Sequence, residues 1–163
     1  MSSCKKQASQ AFGYQLLLDL YNCRAGVCDD LGLCYQFLDE IVEKLGMSKQ
    51  SPPSIFRSPD DQFPDKAGLS GWAPLIESSI VIHTLSQTDF ISIDIYCCKR
   101  FDIDFAKNFC RQYFSPKRMD VQYIERGKDY YKTETDYHRL TVEKSTAGKP
   151  EVTLVEKESV RAS

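Results

Sequence analysis

The chain has 163 residues, of which 42% are hydrophobic and 27% are charged, and its formal net charge is −2. This length and composition are typical of one globular domain with a single core, and the charge gives no basic field that would attract nucleic acid. No apolar run approaches the roughly 18 residues of a membrane-spanning helix, and the polar N-terminus lacks the apolar stretch of a signal peptide. We therefore expect a cytoplasmic protein with neither nucleic-acid nor membrane partners.

The N-terminal half predicts a strand, a helix and a loop. Residues 14–20 form a short apolar run typical of a central strand. Apolar residues then recur at helical spacing from Leu31 to Leu45, and Gly46 is a natural C-terminal stop. Residues 48–68 contain four prolines and are predicted to be a loop.

The following segment predicts the rest of a sheet and a second helix. Strand patterns cover Leu75–Thr84 and Phe90–Cys97, an amphipathic helix covers Asp102–Phe114, and a last strand covers Met119–Ile124. This order of elements predicts an α+β two-layer sandwich, in which a mainly antiparallel sheet carries helices packed on one face.

The composition changes after Gly127, where residues 128–163 become rich in Lys, Glu, Thr and Ser. We therefore divide the chain into a domain of residues 1–127 and a charged extension of residues 128–163. Within the extension, Leu140–Glu143 and Val152–Val155 could pair as a hairpin, and a solvated tail is an equal alternative.

The seven cysteines do not follow a disulfide or metal-binding pattern. Their number is odd and no secretory signal accompanies them, which argues against a disulfide framework. No Cys-x-x-Cys pair occurs and the chain has two histidines, so we expect no metal site. Most of the cysteines are expected to be small buried hydrophobic residues.

Potentially reactive side chains concentrate around two consecutive predicted strands. They are the pair Ser78-Ser79, then His83, and finally the pair Cys97-Cys98. Because residues two apart on a strand share a face, Ser79 and His83 are predicted on one face and Ser78 on the other. A hydrolase triad built from Ser78 and His83 would therefore need an unnatural geometry, and the chain has no Gly-x-Ser-x-Gly elbow.

These residues resemble the short bacterial form of the pyruvoyl-dependent S-adenosylmethionine decarboxylases. Members typically carry Glu-Ser-His-Ile-Ser-Ile-His-Thr-Trp-Pro-Glu, then a strand with an Asp, then a Cys near Thr-Cys-Gly. Here residues 77–87 read Glu-Ser-Ser-Ile-Val-Ile-His-Thr-Leu-Ser-Gln, and Asp94 and Cys98 follow at the same spacing. Residues 18–23 resemble the family's Asp-Leu-Tyr-Gly-Cys strand, and residues 68–71 resemble its Gly-Val-Ser-Gly turn. Together with the closing strand at 121–127, the resemblance covers about residues 12–127.

The resemblance implies a self-generated cofactor. The proenzyme would cleave itself between Glu77 and Ser78 and convert Ser78 into a pyruvoyl group, an electron sink that forms a Schiff base with the substrate amine. His83 would move the proton during this maturation, and Ser70 would help to hold the strained carbonyl and ester. Cys98 would donate a proton to the decarboxylated carbon.

The resemblance also implies a substrate, although the substrate segment differs. The family's Trp-Pro-Glu, whose glutamate grips the ribose hydroxyls, is Leu-Ser-Gln here, so Gln87 would bind them without charge. Phe63 would be the counterpart of the aromatic residue that stacks on adenine in the family, although it lies one residue out of register. By the same resemblance we expect a homodimer with active sites near its interface. Its reaction would be the decarboxylation of S-adenosylmethionine for spermidine and polyamine synthesis. The alternatives are decarboxylation of ornithine or arginine and an uncleaved relative that binds a partner.

Overall fold

A six-stranded sheet and two α-helices make up most of the computed structural model, which describes residues 11–59, 61–128, 130, 140–144 and 150–154. The strands are β1 (Gly13–Tyr21), β2 (Ser54–Arg57), β3 (Leu69–Leu75), β4 (Ser78–Leu85), β5 (Phe90–Cys97), β6 (Arg118–Arg126), β7 (Leu140–Lys144) and β8 (Pro150–Leu154). The helices are α1 (Leu31–Lys44) and α2 (Ile103–Phe114).

The large sheet has the strand order β2-β3-β4-β5-β1-β6, and all its neighbours are antiparallel. Both helices pack against the same face, where aromatic rings of α1 and α2 meet, as in the Phe37–Phe114 pair with centroids 4.8 Å apart. The predicted α+β two-layer sandwich, with a mainly antiparallel sheet and helices on one face, is confirmed.

The core lies between the helices and the central strands. Side chains that point from the central strands toward the helices are fully buried: Leu16, Leu18, Leu20, Ile80, Ile82, Ile91, Ile93 and Ile95. Side chains on the opposite side of the same strands are half-buried or exposed, and they mix polar with apolar types. We call this second side the open face, which includes Leu17, Asp19, Ser70, Trp72, Val81, His83, Ser92 and Asp94.

Local signals fix both helices close to their predicted bounds. The Asp30 carboxylate accepts a hydrogen bond from the Leu33 N–H at 2.9 Å, and the Asp102 carboxylate accepts one from the Phe105 N–H at 2.9 Å. Such N-caps typically contribute about 1 kcal/mol each. Gly46 has a φ of +67°, a left-handed conformation that suits the end of α1.

Three predictions near the site are wrong. Residues 48–68 are not entirely loop, because β2 lies within them and pairs with β3. The strand predicted over Leu75–Thr84 is the end of β3, a two-residue turn, and β4. The predicted turn at residues 68–71 is the start of β3, so Ser70 is a strand residue.

The composition of β3 explains why its strand character was hidden. Gly71 and Pro74 are both poor strand formers, yet the surroundings of each accommodate it within β3. A Cβ on Gly71 would lie 2.8 Å from the Ile82 side chain and 2.9 Å from that of Leu38. Pro74 has no N–H to donate, and its carbonyl accepts a hydrogen bond from the Gln50 N–H at 2.9 Å.

In the charged extension, β7 and β8 pair antiparallel, with Leu140 opposite Leu154. Most of the extension, like residues 1–10, lies outside the described residues. The division of the chain at residue 127 therefore stays a prediction. Within the described residues, no helix combines the length and the apolar character needed to cross a membrane.

Candidate active site

The turn between β3 and β4 carries the bond that the motif marks for cleavage. Ile76 and Glu77 form this turn, and the strands resume where Ser78 pairs with Leu75 on one side and with Cys97 on the other. The φ of Ser78 is +150°, a region that residues with a Cβ rarely enter. Such a conformation costs on the order of 1–3 kcal/mol and persists only where the surroundings enforce it. The backbone is thus strained at the residue that follows the Glu77–Ser78 bond.

Glu77 is anchored through both its main chain and its side chain. Its carbonyl oxygen accepts a hydrogen bond from the Cys98 N–H at 3.0 Å. Its carboxylate, in a side chain only 7% exposed, accepts from the Ser48 N–H at 3.0 Å and from Lys99 Nζ at 3.3 Å. The Ser48 hydrogen bond, with a smaller contribution from Lys99, holds the pKa of Glu77 below its usual value. The peptide unit before Ser78 therefore has little freedom to turn.

The two adjacent cysteines differ in their surroundings. Cys97 ends β5, its side chain is buried, and this burial raises the pKa of its thiol. Cys98 follows directly, is half-buried, and lies beside the cleavage turn because its N–H binds the Glu77 carbonyl. The structure therefore brings Cys98 to the same end of the sheet as Ser78.

Ser70 and His83 form a second group on the open face. They lie opposite each other on β3 and β4, and Ser70 Oγ is 3.0 Å from His83 Nδ1. Asp94 shares this face, and its burial raises the pKa of its carboxyl, as does the nearby charge of Asp19, while His83 lowers it. The pair is placed to exchange a proton, with carboxylates close by.

The two groups are separated within one chain. Ser78 and His83 stand five residues apart on β4, which corresponds to about 17 Å at 3.3–3.4 Å per residue. Ser70 and His83 consequently do not reach the Glu77–Ser78 bond of their own chain. The structure contains two halves of the predicted site at the two ends of β4.

The predicted substrate residues accompany the Ser70–His83 half. Gln87 lies in a single-turn 3-10 helix just after β4, is exposed, and donates from Nε2 to the Pro64 carbonyl at 2.7 Å. Phe63, which precedes Pro64, is 54% exposed. The neighbouring Ser86 hydroxyl donates to the Asp29 carboxylate at 2.7 Å, which fixes the turn that carries Gln87. Phe63 and Gln87 thus lie close together and far along β4 from Ser78.

Sequence reasoning missed two contributors to the cleavage turn. Ser48 acts through its N–H, which nearly every residue type offers, so the sequence carried no signal for it. Lys99 did carry a signal, because a cation directly after the motif cysteine is a charge next to the reacting groups.

Comparisons with known proteins point to one family. A family model described as S-adenosylmethionine decarboxylase matches residues 14–127. An S-adenosylmethionine decarboxylase proenzyme of Persephonella marina is 32% identical over 119 residues, covering 72% of this chain and 84% of the relative. One of Clostridium botulinum is 27% identical over 117 residues, covering 71% of this chain and 95% of the relative. The crystal structure of the adenosylmethionine decarboxylase of Aquifex aeolicus is similar at a TM-score of 0.61 and 26% identity, covering 72% of this chain and 92% of that one. The resemblance is confirmed, and the chain belongs to the S-adenosylmethionine decarboxylase family.

Proposed function

We propose that the chain is an S-adenosylmethionine decarboxylase proenzyme that cleaves itself between Glu77 and Ser78. The observation that carries this proposal is the strained φ of Ser78 next to a carbonyl that already accepts a hydrogen bond from Cys98. Strain in the starting state and a fixed donor on the carbonyl oxygen both favour attack on that carbonyl.

The cleavage chemistry uses atoms of the chain and one water. Ser78 Oγ adds to the Glu77 carbonyl carbon, the C–N bond breaks, and an ester with a free Ser78 amine results. Loss of the Ser78 Cα proton then expels the Glu77 carboxylate from Cβ and leaves dehydroalanine. Its imine tautomer takes up water and releases ammonia to give the pyruvoyl group. The Cys98 N–H would stabilise the oxygen that becomes negative in the first step.

The residues around position 78 fit this group. Residue 78 is the first residue of β4, so the new chain end would stay paired with β5. When formed, the group supplies a carbonyl that draws off the electrons released as CO₂ departs. The half-buried Cys98 thiol would donate the proton that the decarboxylated carbon receives.

A second copy of the chain would complete the site. The open face exposes large apolar side chains, among them Phe56 at 69% and Trp72 at 51%. In a homodimer whose twofold axis crosses the middle of β4, the His83 end of one copy would face the Ser78 end of the other. Ser70 and His83 of one chain would then assist cleavage in its partner, and Phe63 and Gln87 would line the same shared pocket.

A complementation experiment tests this shared site. Ser78→Ala and His83→Ala chains should each stay uncleaved when expressed alone. When the two are expressed together, the His83→Ala chain should be cleaved, because its partner supplies His83. Uncleaved chains in a verified mixed dimer would show that the site is not shared.

The substrate proposed is S-adenosylmethionine, a small molecule whose decarboxylated form serves polyamine synthesis in the cytoplasm. The relatives compared above are named for this substrate, and Phe63 and Gln87 offer an exposed ring and an amide for its adenosyl part. Decarboxylation of ornithine or arginine, or a role as an uncleaved binding protein, is not favoured by these names.

Intact mass under denaturing conditions is the direct test of the proposal. The wild-type protein should give two fragments, residues 1–77 and 78–163, and Ser78→Ala should give one full-length chain without CO₂ release. A full-length wild-type mass, or cleavage of the alanine variant at the same bond, would refute self-cleavage. Assays of CO₂ release from S-adenosylmethionine, ornithine and arginine would then identify the substrate.

A further inference from the structure

The carboxylate of Glu77 is an unusual group for a turn. The side chain is 7% exposed, although its neighbour Ile76 is 73% exposed. A buried carboxylate is costly unless it is hydrogen-bonded and paired. Elsewhere in the described part of the chain, the Ser48 N–H and the Lys99 ammonium both bind it, and Lys99 itself is 72% exposed. The cation therefore lies over the carboxylate from the solvent side.

Two further contacts join the same three places in the chain. The Ile76 N–H donates to the Ser48 carbonyl at 2.9 Å, so the turn and residue 48 exchange hydrogen bonds in both directions. The Cys98 N–H, one residue before Lys99, donates to the Glu77 carbonyl at 3.0 Å. Glu77 is thus held on one side by residue 48 and on the other by residues 98 and 99.

This arrangement bears on the strain at Ser78. A strained φ relaxes when the peptide unit on either side can rotate. The ladder between β4 and β5 fixes Ser78 on its C-terminal side, and the contacts of Glu77 fix the preceding peptide unit. Loosening Glu77 would let the turn relax and the carbonyl move away from its donor.

We propose that Ser48 and Lys99 form a clamp on the Glu77 carboxylate that sets the rate of self-cleavage. The inference rests on the proposed function, and it makes Lys99 a positioning residue that acts through Glu77. The clamp also suits the product. Cleavage creates a second carboxylate on Glu77, at its new main-chain end, and Lys99 is the neighbouring cation that can balance it. The motif quoted above has glycine after this cysteine, so the Lys99 arm belongs to this chain rather than to the motif.

The rate of cleavage can be followed in a pulse of cell-free synthesis, by the conversion of full-length chain into fragments on denaturing gels. Lys99→Met keeps the length of the side chain and removes its charge, and it should slow cleavage about threefold, the size expected for a mostly exposed ion pair. Glu77→Gln removes the charge of a side chain that is more buried than that of Lys99, and it weakens both hydrogen bonds to that side chain. It should therefore slow cleavage about tenfold. Lys99→Arg should retain the wild-type rate within about twofold.

The matched control is Lys107→Met, which breaks the 2.7 Å ion pair with Asp104 on α2, away from the turn. It should cleave as the wild type does. Raised salt should slow the wild type but not Lys99→Met, because the ion pair that salt screens is already absent. In the uncleavable Ser78→Ala background, Lys99→Met should lower the unfolding midpoint no more than Lys107→Met does, because each change removes one partly exposed ion pair. Slower cleavage in Lys99→Met alone would then not be an effect of lost stability.

The outcomes separate the two proposals. Cleavage of the wild type together with unchanged rates in Lys99→Met and Glu77→Gln would overturn the clamp and leave self-cleavage standing. Equal slowing by Lys107→Met, or an unfolding midpoint lowered clearly more by Lys99→Met than by Lys107→Met, would also overturn it. A wild-type chain that stays whole would overturn self-cleavage itself, and the clamp with it.

Discussion

Replacing Ser78 by glycine and by alanine would measure the strain at the cleavage turn. Neither variant has the hydroxyl that attacks, so both should stay full-length and can be compared as folded precursors. At an ordinary strand position, glycine is less stable than alanine by roughly 0.5–1 kcal/mol, because it loses more backbone entropy on folding. At a φ of +150°, alanine keeps the Cβ that makes the conformation unfavourable, whereas glycine does not.

The two effects oppose each other, and the strain should be the larger. Relief of about 1–3 kcal/mol, less about 0.5–1 kcal/mol of entropy, leaves Ser78→Gly more stable than Ser78→Ala by about 0–2.5 kcal/mol, or about 1 kcal/mol at the middle of both ranges. With a urea slope of about 2 kcal/mol/M, 1 kcal/mol moves the unfolding midpoint by about 0.5 M. The assay is urea unfolding of both variants at one protein concentration, since association would otherwise shift the midpoints.

Ser79 provides the control at the next strand position, where φ is not positive. Ser79→Gly should be less stable than Ser79→Ala, the ordinary order. If Ser78 shows this ordinary order as well, its backbone is not strained, and the structural reason for preferring the Glu77–Ser78 bond as the cleavage site is lost.

Three further predictions concern the proton donor, the substrate and pH. Cys98→Ala should be cleaved but should lose turnover or consume its cofactor. Cys97→Ala, at a buried position, should lower stability more than catalysis. A CO₂-release assay in which Cys97→Ala loses more activity than Cys98→Ala would contradict the assignment of Cys98 as proton donor. Gln87→Glu should lower the Michaelis constant for S-adenosylmethionine roughly tenfold by restoring a charged hydrogen bond, and no change on that substrate would remove Gln87 from the ribose site. Because the pKa of Glu77 is lowered from 4.5 in the folded state, its stabilisation is complete above about pH 4.5 and is lost as the pH falls through the folded value. The Ser78→Ala precursor should therefore lose stability in acid more steeply than the same protein carrying Glu77→Gln, and parallel acid-unfolding curves would show that Glu77 is not held as described.

The fold was predictable where its signals are local. The apolar periodicity and the caps Asp30 and Asp102 define both helices within one residue, and alternating isoleucines define β5. β3 was not predictable, because Gly71 and Pro74 satisfy demands set by distant neighbours such as Ile82 and Leu38 rather than by strand propensity. The prolines around β2 obscure its strand pattern in the sequence. β2 is an edge strand that forms by pairing with β3.

The motif predicts a set of site residues but not their arrangement in space. Motif spacing indicated Ser78 and Cys98, whose common place at one end of the sheet follows from the pairing of β4 with β5. The contact between Ser70 and His83 depends on the register of β3 against β4, which spacing alone does not give. The contact of Ser48 with Glu77 joins residues 29 apart through a main-chain N–H, and no side-chain pattern reports it.

The strand order has a consequence for how the mature protein can exist. A cut after Glu77 places β1, β2 and β3 in the first fragment and β4, β5 and β6 in the second. In the sheet order β2-β3-β4-β5-β1-β6, strands of the first fragment therefore alternate with strands of the second. β1 of the first fragment lies between two strands of the second, so each fragment alone keeps only one neighbouring pair from the six-stranded sheet and only part of the core. If the chain cleaves itself there, folding of the intact precursor would bring the two fragments together before they are separated. After cleavage, unfolding would also separate the two chains, so refolding would depend on protein concentration. The mature protein would then be maintained by a slow rate of unfolding rather than by efficient refolding.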